Sequence, residues 1–288
     1  MKKLMMATDL SARSDRALER AVSLAREHGA SLTVVHVVDD HLPASLADMQ
    51  KDAATSAIHK HVRELSADNG PPVSIEVIFG RAHAAIVEMS EKTGAEMIVL
   101  GMHREDAFKD MFRGTTVERI IRAANVPTLL VKDRVSGPYR QIMVGVDFSV
   151  YSRRAVEFAV KFAKGGHFSL VHAYDVPFKG FLHGDDIRSE VSKRHELQFT
   201  QMMDQEMASI LGGLEVPAAR LDRIMQEGTA RGVLNQQISR LKPDLLPRKA
   251  RADRRRPCLP RQHRGRNAQH ATLRRSGGKG LVGIGAGG

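Results

Sequence analysis

Short apolar runs and amphipathic stretches alternate along the chain from its beginning. The first apolar run contains Met5 and ends at Asp9. Ala17, Ala21 and Leu24 then recur at helical spacing, and the run "SLTVVHVV" follows them. An apolar run of that length, rich in β-branched residues, indicates a buried strand. The pattern therefore predicts a strand, a helix and a second strand at the start of the chain.

The next segments continue the alternation. "VSIEVIFG", "AEMIVLG" and "PTLLVK" predict strands, while "AHAAIVEMSEKTG", closed by Gly94, and "TTVERIIRAAN" predict helices. Strands that alternate with helices form a parallel sheet covered by helices on both faces. We therefore predict an α/β fold built on a doubly wound, Rossmann-like parallel sheet.

The second half of the chain repeats the first. "TDLS" and "VDFS" end matching apolar runs, and four pairs of residues correspond across the two copies: Asp9 and Asp147, Ser11 and Ser149, Ser14 and Ser152, His36 and His172. Such self-similarity indicates an internal duplication. The match continues through "PDLL" and stops at Leu246. We predict a first domain over residues 1–135, a second, truncated domain over 140–246 and a basic, disordered tail over 247–288.

The net positive charge of the chain comes from the tail. The net charge is +11, and residues 247–288 carry ten Arg and two Lys against one acidic residue, so the preceding 246 residues are neutral. Cys258 is the single cysteine, which excludes an internal disulfide. No apolar run approaches the 18 residues or so of a membrane span. We expect a cytoplasmic protein without a membrane partner.

These motifs resemble the universal stress protein family in its tandem form. The resemblance rests on "TDLS", "VDFS", "VVHVVD", "AEMIVLGMH" and "VPTLLVK", and it covers nearly all of residues 1–246. ATP-binding members carry Gly-x-x-Gly, nine residues and Gly-Ser/Thr. The matching positions here are Gly101, Arg104, Gly114 and Thr115, so Arg104 departs from the pattern.

The resemblance implies an adenine nucleotide site in the first repeat, with ATP as cofactor, with or without Mg²⁺. It implies that Val37 lines the adenine and that Asp9 binds the ribose or a metal. Gly101 ends a central strand, where ligands of doubly wound sheets lie, and Gly114, Thr115 and Thr116 open a helix whose amides suit phosphate. His103 is included in the predicted nucleotide site, as a loop residue rather than as a base.

Structural interpretations of the same residues stay open. Gly101 can simply end a strand, Thr115 can simply cap a helix, and Asp9 can be a turn residue. His36 and His172 are interpreted as buried, hydrogen-bonded side chains. The chain shows neither a catalytic constellation nor metal-ligand spacing. We predict a regulatory, stress-response binding protein rather than an enzyme. A slow ATP hydrolase and a nucleotide-free interaction scaffold are the alternatives, and Arg104 favours the scaffold if it fills the pocket.

The tail begins where the repeat predicts two more apolar residues and a glycine. Codons for Arg248 and the residues after it, read one nucleotide later, can encode Gly-x-x-Gly, nine residues and Gly-Ser, the motif that the second repeat lacks. We therefore interpret the residues from about Pro247 as a frameshift product. The alternative is a genuine tail that binds nucleic acid non-specifically, although it has no aromatic residue for base stacking.

A truncated second repeat has structural consequences. It lacks counterparts of eight large apolar residues of the first repeat: Val99, Leu100, Val117, Ile120, Ile121, Leu129, Leu130 and Val131. We expect it to be poorly folded, with weaker protection from hydrogen exchange from about residue 140 onward. We also expect the "VPTLLVK" strand to be left with an open edge, which would allow a homodimer or aggregation.

Overall fold

The computed structural model describes residues 1–66, 70–102, 115–174, 217–249 and 281–285, and helical residues 194, 197–198, 200–202, 204–205 and 208–209. The first repeat contains, in chain order, β1 (Lys3–Thr8), α1 (Ala12–His28), β2 (Ser31–Val38), α2 (Ala44–Ser66), β3 (Val73–Phe79), α3 (Ala82–Thr93), β4 (Met97–Gly101), α4 (Thr116–Ala123) and β5 (Thr128–Val131). Helices α1 and α3 are followed by the C-cap residues Gly29 and Gly94, whose φ angles of 61° and 66° are readily adopted by glycine.

The strands of the first repeat form a parallel sheet in the order β3, β2, β1, β4, β5. Helix α1 packs against β1 and β4, and α2 packs beside it against β2 and β3. Helices α3 and α4 pack together, and their apolar residues belong to a separate cluster with Met5, Ile98 and Leu130. The predicted α/β fold, with a parallel sheet covered on both faces, is confirmed.

The second repeat contains β6 (Gln141–Gly145), α5 (Val150–Phe162), β7 (His167–Tyr174), a 3-10 turn (Ala218–Arg220), β8 (Leu221–Glu227) and α6 (Ala230–Leu241). Strands β6, β7 and β8 form a smaller parallel sheet. Leu245 forms a parallel bridge with Ile142, as Met97 pairs with Leu4 in the first repeat. The strand register therefore places Leu245 at the position in the second repeat that Met97 occupies in the first.

Two strands lie at the end of the chain, β9 (Leu246–Lys249) and β10 (Leu281–Gly285). Strand β10 pairs in parallel with β5 and antiparallel with β9, so the prediction that β5 has an open edge is wrong in this structure. The prediction of a disordered tail over residues 247–288 is also wrong where β9 and β10 lie within it. The physical reason is that an exposed strand edge can pair with any short extended segment, whatever its side chains.

Strand β10 does not restore the architecture of the first repeat. It runs antiparallel to β9, whereas β5 runs parallel to β4. Its backbone pairing therefore closes the gap between the two sheets without reproducing the missing strand of the second repeat. The remainder of the predicted disordered tail, residues 250–280 and 286–288, lies outside the described residues.

The two repeats share one hydrophobic cluster on the side of the sheet covered by α1. It joins residues of the first repeat, such as Leu4, Leu24 and Met97, to Ile142 and Phe162 of the second. The two copies are therefore packed against each other through apolar side chains. No helix in the described part of the chain is long and apolar enough to span a bilayer.

Candidate functional site

The candidate site lies at the carboxyl end of the sheet in the first repeat, where β1 and β4 are neighbours. Helix α1, which follows β1, covers one face of the sheet, and α3, which precedes β4, covers the other. The connections diverge at this pair of strands and leave a crevice, which is where doubly wound sheets bind ligands. Asp9 directly follows β1, and Gly101 is the last residue of β4.

Asp9 is held in a fixed orientation by two serines of the following turn. Its Oδ1 accepts hydrogen bonds from the Ser11 amide at 3.0 Å, the Ser11 hydroxyl at 2.5 Å and the Ser14 hydroxyl at 2.6 Å. The bond from the Ser11 amide forms an Asx-turn. This result supports the interpretation of Asp9 as a turn residue, and it leaves Oδ2 without a hydrogen bond among the described residues.

The same contacts set the charge of Asp9. Burial of the carboxyl group by itself would raise the pKa, but hydrogen bonds from Ser11 and Ser14 and the nearby charge of Arg13 lower it. The net effect is a pKa below the ordinary value of 3.8. At neutral pH the crevice therefore holds a negative, positioned carboxylate on an exposed side chain.

Gly101 is required by the packing of α1. A Cβ at this position would lie 2.7 Å from the carbonyl oxygen of Arg13 and 3.1 Å from the amide nitrogen of Ser14. These are backbone atoms of the first turn of α1, so they cannot rotate away from a methyl group. Gly101 thus lets α1 approach β4 and brings Ser14, the partner of Asp9, to the edge of the crevice.

Thr115 and Thr116 open α4, as their position in the motif predicts. Thr115 is the N-cap, and its hydroxyl accepts a hydrogen bond from the Glu118 amide at 3.2 Å. Thr116 is the first residue of the helix, and both threonines are exposed. The capping interpretation of Thr115 is therefore confirmed. An exposed helix N-terminus is also suited to an anion.

Val37 and His36 lie near the carboxyl end of β2, beside β1. Val37 is half-buried and packs against the apolar cluster on the α3 face. The Nδ1 atom of His36 lies 2.9 Å from the carbonyl oxygen of Thr8, and that of His172 lies 2.8 Å from the carbonyl oxygen of Val146. Both histidines are thus hydrogen-bonded, as predicted, but only His172 is buried, whereas His36 is half-buried.

The described residues of the predicted site form one connected group and one separate element. Ser14 lies between Asp9, to which it donates a hydrogen bond, and Gly101. Val37 is next to His36, whose ring contacts Thr8 of β1. Thr115 and Thr116 lie apart from these residues, at the start of α4. The predicted site residues His103, Arg104 and Gly114 lie outside the described residues. The roles of Ser11 and Ser14 were not predicted, although their spacing from Asp9 recurs at Asp147, Ser149 and Ser152.

The second repeat reproduces the turn but not every contact. Asp147 Oδ1 accepts from the Ser149 amide at 3.0 Å and from the Ser149 hydroxyl at 2.5 Å, as Asp9 does from Ser11. The Ser152 hydroxyl, however, donates to the carbonyl oxygen of Ser149 at 3.0 Å. The turn is therefore a property of the repeat, and Asp147 serves as a matched reference for Asp9.

Comparison with known proteins identifies relatives for both repeats. The family model of the Universal stress protein family matches residues 1–132 and 138–246. A universal stress protein of Methanocaldococcus jannaschii, MJ0531, is 30% identical over 140 residues, which cover 46% of this chain and 82% of the relative.

Solved structures show the same similarity. A universal stress protein from Archaeoglobus fulgidus DSM 4304 has a TM-score of 0.61 at 18% identity and covers 84% of each chain, which shows the fold. A universal stress protein in complex with cAMP covers 45% of this chain and 95% of its own, at 20% identity and a TM-score of 0.37.

Proposed function

Because the chain belongs to the universal stress protein family, we propose that its first repeat binds an adenine nucleotide, ATP first of all, as a regulatory stress-response module. The observation that carries this proposal is the Asp9 carboxylate, which is oriented by Ser11 and Ser14 and faces no other hydrogen-bond partner at Oδ2 in the described structure. A fixed carboxylate at a topological switch point suits the hydroxyl groups of a ribose.

The described residues fit the parts of an adenine nucleotide. Val37 offers an apolar side chain for the base, Asp9 an acceptor for the ribose or a ligand for Mg²⁺, and the start of α4 at Thr115 and Thr116 offers amides for phosphate. Gly114 and His103 complete the proposed phosphate segment on the evidence of the sequence. Arg104 replaces the usual glycine there, and its guanidinium can bind phosphate oxygens.

Calorimetry with the full chain tests the proposal. We expect ATP to bind with a Kd in the range of about 1–100 μM. Asp9→Asn keeps an oxygen for the bonds from Ser11 and Ser14 but removes the charge, so it should weaken binding about tenfold, equivalent to about 1.4 kcal/mol. The matched control Asp147→Asn changes the equivalent turn of the second repeat and should leave the Kd unchanged. ADP, AMP and cAMP complete the ligand series.

Two results would contradict the proposal. Absence of heat with ATP at about 1 mM would favour the nucleotide-free scaffold, the alternative in which the Arg104 side chain fills the pocket. An equal loss of affinity in both aspartate variants would exclude a site confined to the first repeat. Release of phosphate from bound ATP, abolished by His103→Ala or Thr115→Ala, would instead identify the protein as a slow hydrolase.

A further inference from the structure

The two repeats meet along a seam formed by α1 of the first repeat, α5 of the second and the linker between them. We define the seam by five residues: Arg20 and His28 of α1, Tyr139 of the linker, and Phe158 and Phe162 of α5. Four ring and cation contacts link these residues into one connected group, with Phe162 at its centre. The seam is thus a specific aromatic contact within the cluster that both repeats share.

Arg20 and Tyr139 form the buried end of the seam. The side chains are 6% and 5% exposed, and the guanidinium of Arg20 lies 4.3 Å from the centre of the Tyr139 ring. Arg20 Nη1 also donates to the carbonyl oxygen of Gly137 at 2.7 Å. Arg20 therefore fastens the linker to α1 through a hydrogen bond and a cation–π contact.

His28 forms the other end of the seam. Its ring stacks on Phe162 with centroids 5.4 Å apart and an interplanar angle of 21°, and Phe162 stacks on Phe158 at 5.3 Å. The Nε2 atom of His28 is buried and has no hydrogen-bond partner in the described structure. A neutral imidazole tolerates this position, whereas an imidazolium would place an N–H donor with positive charge in an apolar contact.

We propose that His28 makes the packing of the two repeats sensitive to pH, because protonation of its buried Nε2 loosens the contact between α1 and α5. The neutral ring is the form that stacks on Phe162. The proposal is independent of nucleotide binding, since none of the seam residues belongs to the candidate site.

The charged groups around His28 act in both directions. Burial lowers the pKa of His28 below the ordinary value of 6.5, the carboxylate of Glu27 opposes this effect, and the N-terminal amine and Lys164 add to it. The position of His28 in the last turn of α1 also favours the charged form. Farther along the seam lie the cation of Arg20 and the phenol of Tyr139, whose pKa burial raises to about 12. Asp244 adds a negative charge on the Tyr139 side.

The sign of the pH effect follows from this lowered pKa. Well above pH 6.5 His28 is neutral whether the seam is closed or open, so the contact has its full strength. Below pH 6.5 the open state takes up the proton first, and the closed state is progressively disfavoured until the pH reaches the lowered pKa. Because one proton is involved, the ratio of closed to open molecules falls by at most about tenfold for each pH unit.

Hydrogen exchange of the full chain measures this change directly. We expect amides in the C-terminal half of α1, residues 20–28, to lose protection between about pH 7.5 and about pH 5.5 after correction for intrinsic exchange rates. Protection in α3, on the opposite face of the sheet, should stay constant. His28→Phe keeps an aromatic ring on Phe162 without a titrating group, so its residues 20–28 should remain protected at both pH values.

Control variants and a direct titration make the test decisive. His41→Phe changes a histidine whose side chain is 77% exposed, and it should behave like the unaltered chain. His28→Gln removes the titrating ring by a second route if the Phe variant does not fold. The proposal is overturned if residues 20–28 of the unaltered chain keep their protection at the lower pH. It is also overturned if these residues lose as much protection in both His28 variants as in the unaltered chain. An NMR titration of the His28 ring at or above pH 6.5 would also overturn it.

Discussion

At the scale of single residues, Gly101 is required by packing and also belongs to the proposed nucleotide site. The family motif points to close approach of a phosphate, while the structure shows close approach of the first turn of α1. The two functions are compatible, because the same turn carries Ser14, which orients Asp9. A substitution at Gly101 should therefore disturb stability even without nucleotide.

Gly101→Ala is the corresponding test. The added methyl group meets backbone atoms of Arg13 at 2.7 Å, so we expect a loss of about 1–3 kcal/mol in the free energy of unfolding in urea. Gly145→Ala is the matched control near the end of β6, where the methyl group would meet the flexible end of the Leu234 side chain at 3.3 Å. Its cost should be below about 1 kcal/mol. Equal costs for both variants would contradict the packing argument for Gly101.

Most secondary structure elements could be predicted from the sequence because their signals are local. The apolar run of β2, the helical spacing of α1 and the glycine that ends α3 each depend on a few neighbouring residues. The turn at Asp9 is equally local, although its hydrogen bonds from Ser11 and Ser14 were not predicted. The partner of β5 could not be predicted, because strand pairing depends on which distant segment reaches a free edge.

Strand β10 therefore provides a test at the scale of elements. Deletion of residues 281–288 removes it and exposes the edges of β5 and β9, since both pair with β10. We expect the shortened chain to self-associate, as a homodimer through β5 or as larger aggregates, in sedimentation experiments. Deletion of residues 286–288 alone retains β10 and is the matched control. An unchanged sedimentation coefficient distribution in the longer deletion would show that β10 does not protect this edge.

At the scale of the whole molecule the two repeats differ, because among the described residues β9 is not followed by a helix equivalent to α4, and β10 runs antiparallel to it. Six of the eight first-repeat residues without counterparts are buried, and Val117 and Ile121 are half-buried against the cluster beside α3. Burial of each such side chain contributes about 2 kcal/mol before entropy is subtracted. On the face covered by α5 this loss of buried apolar surface is offset, because α5 packs in the cluster shared with the first repeat.

The other side of the second repeat has no such support. In the described structure, the cluster beside α6 contains four buried residues, Met143, Val171, Val233 and Leu246, whereas the cluster beside the equivalent helix α3 contains twelve. Fewer buried contacts lower the free energy required for local opening.

Hydrogen exchange of the full chain at neutral pH should therefore separate α3 from α6, two helices of equal length at equivalent positions. We expect the amides of α6 to be at least about tenfold less protected than those of α3. Helix α5 should be intermediate, because the first repeat shields it. Equal protection in α3 and α6 would mean that the missing strand and helix contribute little to the stability of the second repeat. The account of the chain as one complete and one truncated repeat would then be wrong.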